Sequence, residues 1–235
     1  MSDGGGRTAL VTGATGGIGE AIVRRLAADG LRVFAGGRRR KRLERLTAEV
    51  GGVALPFDVT GEAEVEGARR VVREANARVD VLVNAAGVFD LARVTDTSDA
   101  VLNRNLDANL RGAFNVTRTF LPAMLAAGSG LVIHVGSVAG WRAFPENGAY
   151  SASKFGLRGF HEVLLEEIRG TGVRACLMEP GAVDTPIWDA HGPDSSPHLP
   201  SRGEMLRPGD VAGAVSFVAG LPDTVTVPLL RIERA

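Results

Sequence analysis

The chain holds one cysteine, Cys176, so no internal disulfide can form and no thiolate pair is available to hold a metal. A reducing, cytoplasmic setting is expected. There is no excess of charge either: 27 Lys and Arg stand against 27 Asp and Glu, leaving nothing to draw the whole molecule to nucleic acid or an anionic membrane. No run of about 18 apolar residues occurs, so no membrane span is expected. The opening residues, MSDGGG, are polar where an export signal would be apolar. The four histidines, His134, His161, His191 and His198, show no metal-ligand spacing, and no metal is expected. Aromatic residues make up only 5%, and Tyr150 is the single tyrosine.

With 235 residues, 45% of them hydrophobic, the chain can bury one sizeable core. A single domain over residues 7–235 is expected, behind a flexible N-terminus at 1–6. The 31 glycines have no period and stand at the ends of apolar runs, as suits a turn-rich α/β domain. Residues 8–12 (TALVT) are too few for a helix and apolar enough for a strand buried on both faces. Ile18, Ile22, Val23 and Leu26 then recur at helical spacing, with Gly30 at the helix end. Further strands are predicted at 31–36, 53–57, 79–84, 131–135, 173–178 and 225–232, and helices at 39–50, within 62–77, 98–127, 150–169 and 208–219. Such strand–helix repetition implies a parallel sheet. Residues 185–208 break the pattern; they carry five of the 11 prolines and read as a loop, with room for one short helix, suited to be a substrate lid.

Between the first strand and first helix lies TGATGGIG, from Thr12 to Gly19 and including Thr15, Gly16 and Ile18. Backbone N–H groups and a helix dipole at such a turn can receive a pyrophosphate. Gly13 permits the tight turn, Gly17 lets the backbone approach the phosphates, and Gly19 lets the helix pack on the sheet. The strand–turn–helix context therefore points to a dinucleotide. About 20 residues on, an acid would accept from a ribose 2′-hydroxyl. Here the sequence reads Gly36-Gly37-Arg38-Arg39, and Arg38, with Arg39 beside it, offers donors to a 2′-phosphate instead. NADP(H) is expected over NAD(H). Asp58, followed by Val59, either accepts from an adenine amino group or closes a turn.

Tyr150 and Lys154, in YSASK, are spaced i and i+4 near a helix start, on one face and about one turn apart. A phenol titrating near 10 is a poor base at neutral pH, and a neighbouring ammonium is expected to lower it. In reverse, the neutral phenol can protonate an alkoxide formed as hydride reaches a carbonyl. Ser137 follows the predicted strand 131–135 and can polarise that carbonyl from the C-terminal edge of the sheet. Ser137 as a nucleophile would need a base; His134, three residues upstream, should point to the opposite face and reads as a strand residue satisfied by packing.

These motifs, with Asn84-Ala85-Ala86-Gly87 and Pro180-Gly181-Ala182-Val183-Asp184-Thr185, resemble the short-chain dehydrogenase/reductase family from about residue 7 to 232. The resemblance implies a three-layer Rossmann fold, with a doubly wound seven-stranded parallel sheet between helices. It implies an Asn–Ser–Tyr–Lys set, and the asparagine carries over to Asn109, where a kinked helix holds a relay water. It further implies that Asn84, Ala85, Ala86 and Gly87 lie beside the cofactor. Lys154 would bind the nicotinamide ribose, and Pro180, Gly181, Val183 and Thr185 would border the nicotinamide. The activity implied is an NADP(H)-dependent carbonyl reductase or secondary-alcohol dehydrogenase. The alternative is a non-catalytic NADP(H)-binding sensor or interaction protein; a sugar-nucleotide epimerase would need a C-terminal domain for which the chain has no room.

The substrate pocket is expected to be lined by Val138, Trp141 and Phe144 after the serine and by Val183, Ile187 and Trp188 in the lid, a largely apolar set for a small-molecule carbonyl or alcohol. Arg142 could bind a substrate carboxylate but reads first as a solvated loop arginine. The resemblance also implies a homodimer or homotetramer, paired through the helices at 98–127 and 150–169, where Ala152, Gly156 and Gly159 would permit close approach.

Overall fold

The computed structural model describes residues 6–235; residues 1–5, most of the segment expected to be flexible, lie outside the described residues. Strand β1 (Thr8–Val11) is buried throughout and passes through the glycine turn into α1 (Gly17–Ala28). Helix α1 turns Ile22, Val23 and Leu26 inward, as their spacing requires. Then follow β2 (Arg32–Gly37), α2 (Arg40–Val50), β3 (Val53–Pro56), α3 (Glu62–Glu74) and β4 (Val81–Asn84). The second half comprises α4 (Asp99–Leu106), α5 (Gly112–Ala127), β5 (Gly130–Val135), α6 (Gly148–Glu167), β6 (Val173–Pro180), α7 (Pro208–Gly220) and β7 (Leu229–Ile232). The seven strands form one parallel sheet in the order β3-β2-β1-β4-β5-β6-β7. The chain winds outward from β1 in one direction and then from β4 in the other, which opens a crevice at the C-terminal ends of these two strands.

Both faces of the sheet are buried. Val11, Val33, Val83, Ile133 and Met178 meet α1 and α7 on one side. Leu10, Phe34, Leu82 and Val132 meet α3, α5 and α6 on the other. No helix among the described residues is long and apolar enough to cross a membrane.

Three sequence expectations need correction. The predicted helix over 98–127 is interrupted by a π-helical turn at Asp107–Arg111, because one extra residue is looped out where Asn109 bonds to the chain after β4. The last strand begins only at Leu229: Arg174 gathers the carbonyls of Leu221, Pro222 and Val225 and the Asp223 carboxylate, holding that segment as a turn. Residues 185–208 contain three short 3-10 turns, Pro186–His191, Pro193–Ser195 and Arg202–Glu204. Arg202 organises them, donating to Asp184 at 2.5 Å and Asp189 at 2.6 Å, with Asp194 at 3.9 Å.

Candidate active site

At the crevice, Gly13 adopts φ +65°, and a Cβ there would lie 2.6 Å from the Ala85 carbonyl oxygen. Glycine is required on both counts. Thr12 reinforces the same junction: its Oγ1 accepts the N–H groups of Ala85 and Ala86 at 3.1 and 3.2 Å. A Cβ on Gly19 would fall 2.2 Å from the Gly13 carbonyl oxygen, so the close helix–turn packing expected there is present. Gly17 faces a different neighbour, since a Cβ would meet Thr185 Cγ2 at 2.6 Å. The glycine turn and the start of the lid thus face each other. Thr15 is buried, while Gly16 caps α1 and Ile18 packs against the core.

Arg38, just beyond β2, is 73% exposed, and its nearest carboxylate, Asp58, is 3.6 Å away. Arg39 is exposed at the start of α2. Burial alone would raise the Asp58 carboxyl, but hydrogen bonds from the Thr60 N–H and hydroxyl, with Arg38 nearby, bring it below its ordinary value. Asp58 is therefore built into a turn. Val59 is buried, with its carbonyl accepting from Asn115 and its Cγ2 against Gly112.

Tyr150 and Lys154 lie one turn apart on α6, with the Lys154 Nζ 5.6 Å from the phenol ring centre. Nζ donates to the Val135 carbonyl at the end of β5, 2.9 Å away. Burial lowers Lys154 to about 8. Burial also pushes the Tyr150 phenol up to about 12, against a hydrogen bond with Ser137 that pulls it down. The direction is opposite to the lowering expected from the lysine, because desolvation of the phenolate outweighs the Ser137 hydrogen bond. Ser137 Oγ also accepts the Ala139 N–H at 3.1 Å. Both ring nitrogens of His134 are engaged elsewhere, with Thr117 and His161, so it is no base for Ser137. The packing role expected of His134 is thus joined by a hydrogen-bonding one.

Asn109 sits in the π-helical turn. Its Oδ1 accepts the Val88 N–H at 2.8 Å, and its Nδ2 donates to the Val88 carbonyl at 3.0 Å and to Ser153 Oγ at 2.8 Å. Both amide hydrogens are committed, and one lone pair of Oδ1 remains. A Cβ on Gly87 would meet that oxygen at 2.9 Å and Lys154 Nζ at 4.0 Å, so the glycine leaves room between them. Buried Asn84 closes β4, and its Oδ1 has no hydrogen-bond partner among the described residues.

Pro180 pairs with Ile232, and the Gly181 N–H donates to the Ile232 carbonyl at 2.8 Å. Val183 is buried, and its carbonyl accepts from Trp188 Nε1 at 3.1 Å. The wall beside the tyrosine differs from the expected one. Phe89 meets the Tyr150 ring edge-on at 4.8 Å and also packs on Trp188 at 4.8 Å and His191 at 5.1 Å. Neither Phe89 nor His191 was expected there; their contacts join segments about 60 to 100 residues apart and leave no local spacing signal. Trp141 faces a groove with Phe155, Arg158 and Arg231, the Arg231 guanidinium lying 4.2 Å from its ring centre. Arg142 stacks over Trp141 and Phe144 and pairs with Glu233, as a surface arginine. Val138 is buried and Ile187 exposed.

The residues present fit a phosphorylated dinucleotide: a cradle that a Cβ would fill, an exposed arginine 3.6 Å from one carboxylate, and a buried acceptor without a partner among the described residues at the end of β4. The short chain dehydrogenase family model matches residues 7–196. The D-threitol dehydrogenase of Mycolicibacterium smegmatis is 35% identical over 91% of this chain and 86% of its own. The glycine betaine reductase of Emericella nidulans is 34% identical over 97% of this chain, which spans only 19% of that longer protein. Among solved structures, the closed form of a serine dehydrogenase complexed with NADP+ superposes with a TM-score of 0.88 at 32% identity, covering 96% of this chain and 94% of the other.

Proposed function

This chain belongs to the short-chain dehydrogenase family of oxidoreductases, and from that premise we propose that it is an NADP(H)-dependent carbonyl reductase or secondary-alcohol dehydrogenase acting on a small, largely apolar substrate. The observation that carries the reading is the half-buried Tyr150 placed one turn from Lys154 on α6 and beside Ser137. The glycine turn would hold the pyrophosphate, Arg38 the 2′-phosphate, and Asn84, Lys154 and Thr185 the nicotinamide end. The reduced nicotinamide, when bound, supplies the hydride. Ser137 would donate a hydrogen bond to the substrate carbonyl oxygen, and Tyr150 would give its phenolic proton to that oxygen as negative charge develops there. The Lys154 ammonium would stabilise the phenolate left behind, and Asn109 would hold the chain after Gly87 while offering Oδ1 to a relay water. The aromatic wall of Phe89 and Trp188 supports an apolar substrate.

The test is NADPH consumption over a panel of neutral ketones, with Tyr150→Phe as the control. Turnover in the wild type, lost in Tyr150→Phe with NADPH binding intact, is the expected result. Tight NADPH binding without turnover over the panel would support the sensor reading instead. Association into a homodimer or homotetramer belongs to the same proposal. Exposed Phe114, Phe155 and Val163 on α5 and α6 support it, and nothing lies within 4 Å of a Cβ built on Gly159; Gly156 instead packs on Leu110 of its own chain. Sedimentation as a monomer alone would remove it. A reducing, cytoplasmic compartment is proposed too, on the lone buried thiol of Cys176.

A further inference from the structure

Beneath the crevice, four side chains and one carbonyl form a continuous hydrogen-bonded chain through the core. Asn84 Nδ2 donates to Thr117 Oγ1 at 3.0 Å, Thr117 Oγ1 lies 3.1 Å from His134 Nε2, His134 Nδ1 lies 3.2 Å from His161 Nδ1, and His161 Nε2 lies 3.0 Å from the Pro228 carbonyl oxygen. All four side chains are buried, His134 completely. They come from β4, α5, β5 and α6, and the chain ends at the residue before β7.

With both imidazoles neutral, as their burial favours, only one arrangement of protons satisfies it. The Pro228 carbonyl can only accept, so His161 carries its proton on Nε2. Its Nδ1 must then accept, and His134 carries its proton on Nδ1. His134 Nε2 in turn accepts, which commits the Thr117 hydroxyl proton to it. Thr117 Oγ1 is thereby left to accept from an amide N–H, so Asn84 turns Nδ2 inward and keeps Oδ1 free. While the rings stay neutral, reversing any member places two donors or two acceptors face to face, ending at two acceptors at Pro228. Burial favours the neutral form of both imidazoles, lowering the pKa of each, furthest at His134.

We propose that the Thr117–His134–His161 chain is a positioning relay that sets the polarity of Asn84, so that the end of β4 presents a hydrogen-bond acceptor and never a donor to the bound cofactor. This rests on the cofactor reading above. The free Oδ1 is buried and unpartnered among the described residues, an acceptor left open to a donor. A hydroxyl or amide N–H of the dinucleotide's nicotinamide half has that chemistry. The three relay side chains act through Asn84, and none of them is a catalytic residue.

Two measurements test the relay. Long-range 1H–15N NMR of the labelled full chain, without cofactor at pH 7.5, should find His134 protonated on Nδ1 and His161 on Nε2, opposite tautomers in one protein. Thr117→Val removes the hydroxyl at nearly constant volume, releases the Asn84 amide, and should raise the NADPH KM about tenfold with kcat within about twofold. Thr117→Ser should restore it. Equal tautomers, a cationic ring, or an unchanged NADPH KM in Thr117→Val alongside a lowered Tm would each overturn the relay. A wild-type chain that binds no NADPH overturns the cofactor reading and the relay together, whereas equal tautomers with NADPH binding intact overturn the relay alone.

Discussion

The two faces of the sheet are built from the same strands and differ in kind. Toward α1 and α7, β4 and β5 present Val81, Val83, Leu131, Ile133 and Val135, an aliphatic layer held by shape and exclusion of water. Toward α5 and α6 the same strands present Leu82 and Val132, but end in Asn84 and His134. Successive side chains alternate faces, so one residue's displacement separates Val83 from Asn84 and Ile133 from His134. Buried polar groups need partners, and on the second face they provide them for one another. One face is aliphatic throughout, whereas the other combines its apolar core with a line of buried hydrogen-bonded groups.

Lys154→Met should separate these roles most sharply. Loss of the ammonium beside Tyr150 should cut kcat by about 10²–10⁴-fold. Stability at neutral pH should rise, because burial has brought Lys154 from 10.5 to about 8. The sign follows from linkage: below about 8 the lysine is charged in both states, so the folded state carries the full desolvation cost. That cost fades as pH rises from about 8 to 10.5 and is gone above. Denaturant melts at pH 7 and 9.5 check this; lower stability of Lys154→Met at pH 7 would contradict it.

Ile133→Ala, on the aliphatic face, should do the opposite. It should cost about 2–5 kcal/mol of stability while leaving kcat/KM per folded molecule within about twofold, as urea melts and active-site titration would show. A selective loss of kcat would erase the distinction between the faces. Arg38→Ala tests the rim beyond both. Losing a charged donor to the 2′-phosphate, worth about 1.5–3 kcal/mol, should raise the NADPH KM about 10–100-fold and leave the NADH KM unchanged. Equal effects on both cofactors would remove Arg38 from selectivity. The smallest effect is acid lability. Because burial lowers the pKa of His134 and His161, the unfolded chain takes up protons first as pH falls. Their contribution is fully present above the ordinary imidazole value of about 6.5 and is lost below it. Thermal melts from pH 8 to 5 should show the decline, and His161→Phe should flatten it.

Much of this architecture was legible beforehand. The strand–helix order follows from apolar runs and helical spacing, and the glycine turn and YSASK are contiguous segments whose geometry is local. The π-helical turn at Asp107–Arg111 left no local spacing signal, and only the resemblance implied a kink at Asn109, because the contact that requires it, Asn109 with Val88, spans 21 residues. Trp141 was expected at the pocket and Phe89 was not, since no periodicity tells which aromatic ring reaches Tyr150. The phenol was expected to be acidified, whereas its burial dominates.

Chain-local chemistry thus dictated the sheet, the turn that can receive phosphates and the presence of a tyrosine–lysine pair, because each depends on neighbours within a few residues and on backbone sterics. Which distant groups meet arose only when the strands were laid side by side. Packing β4 against β5 and α6 against both brought Asn84, Thr117, His134 and His161 into one hydrogen-bonded line, and burial there, a property of the assembled fold, determined which groups keep their protons.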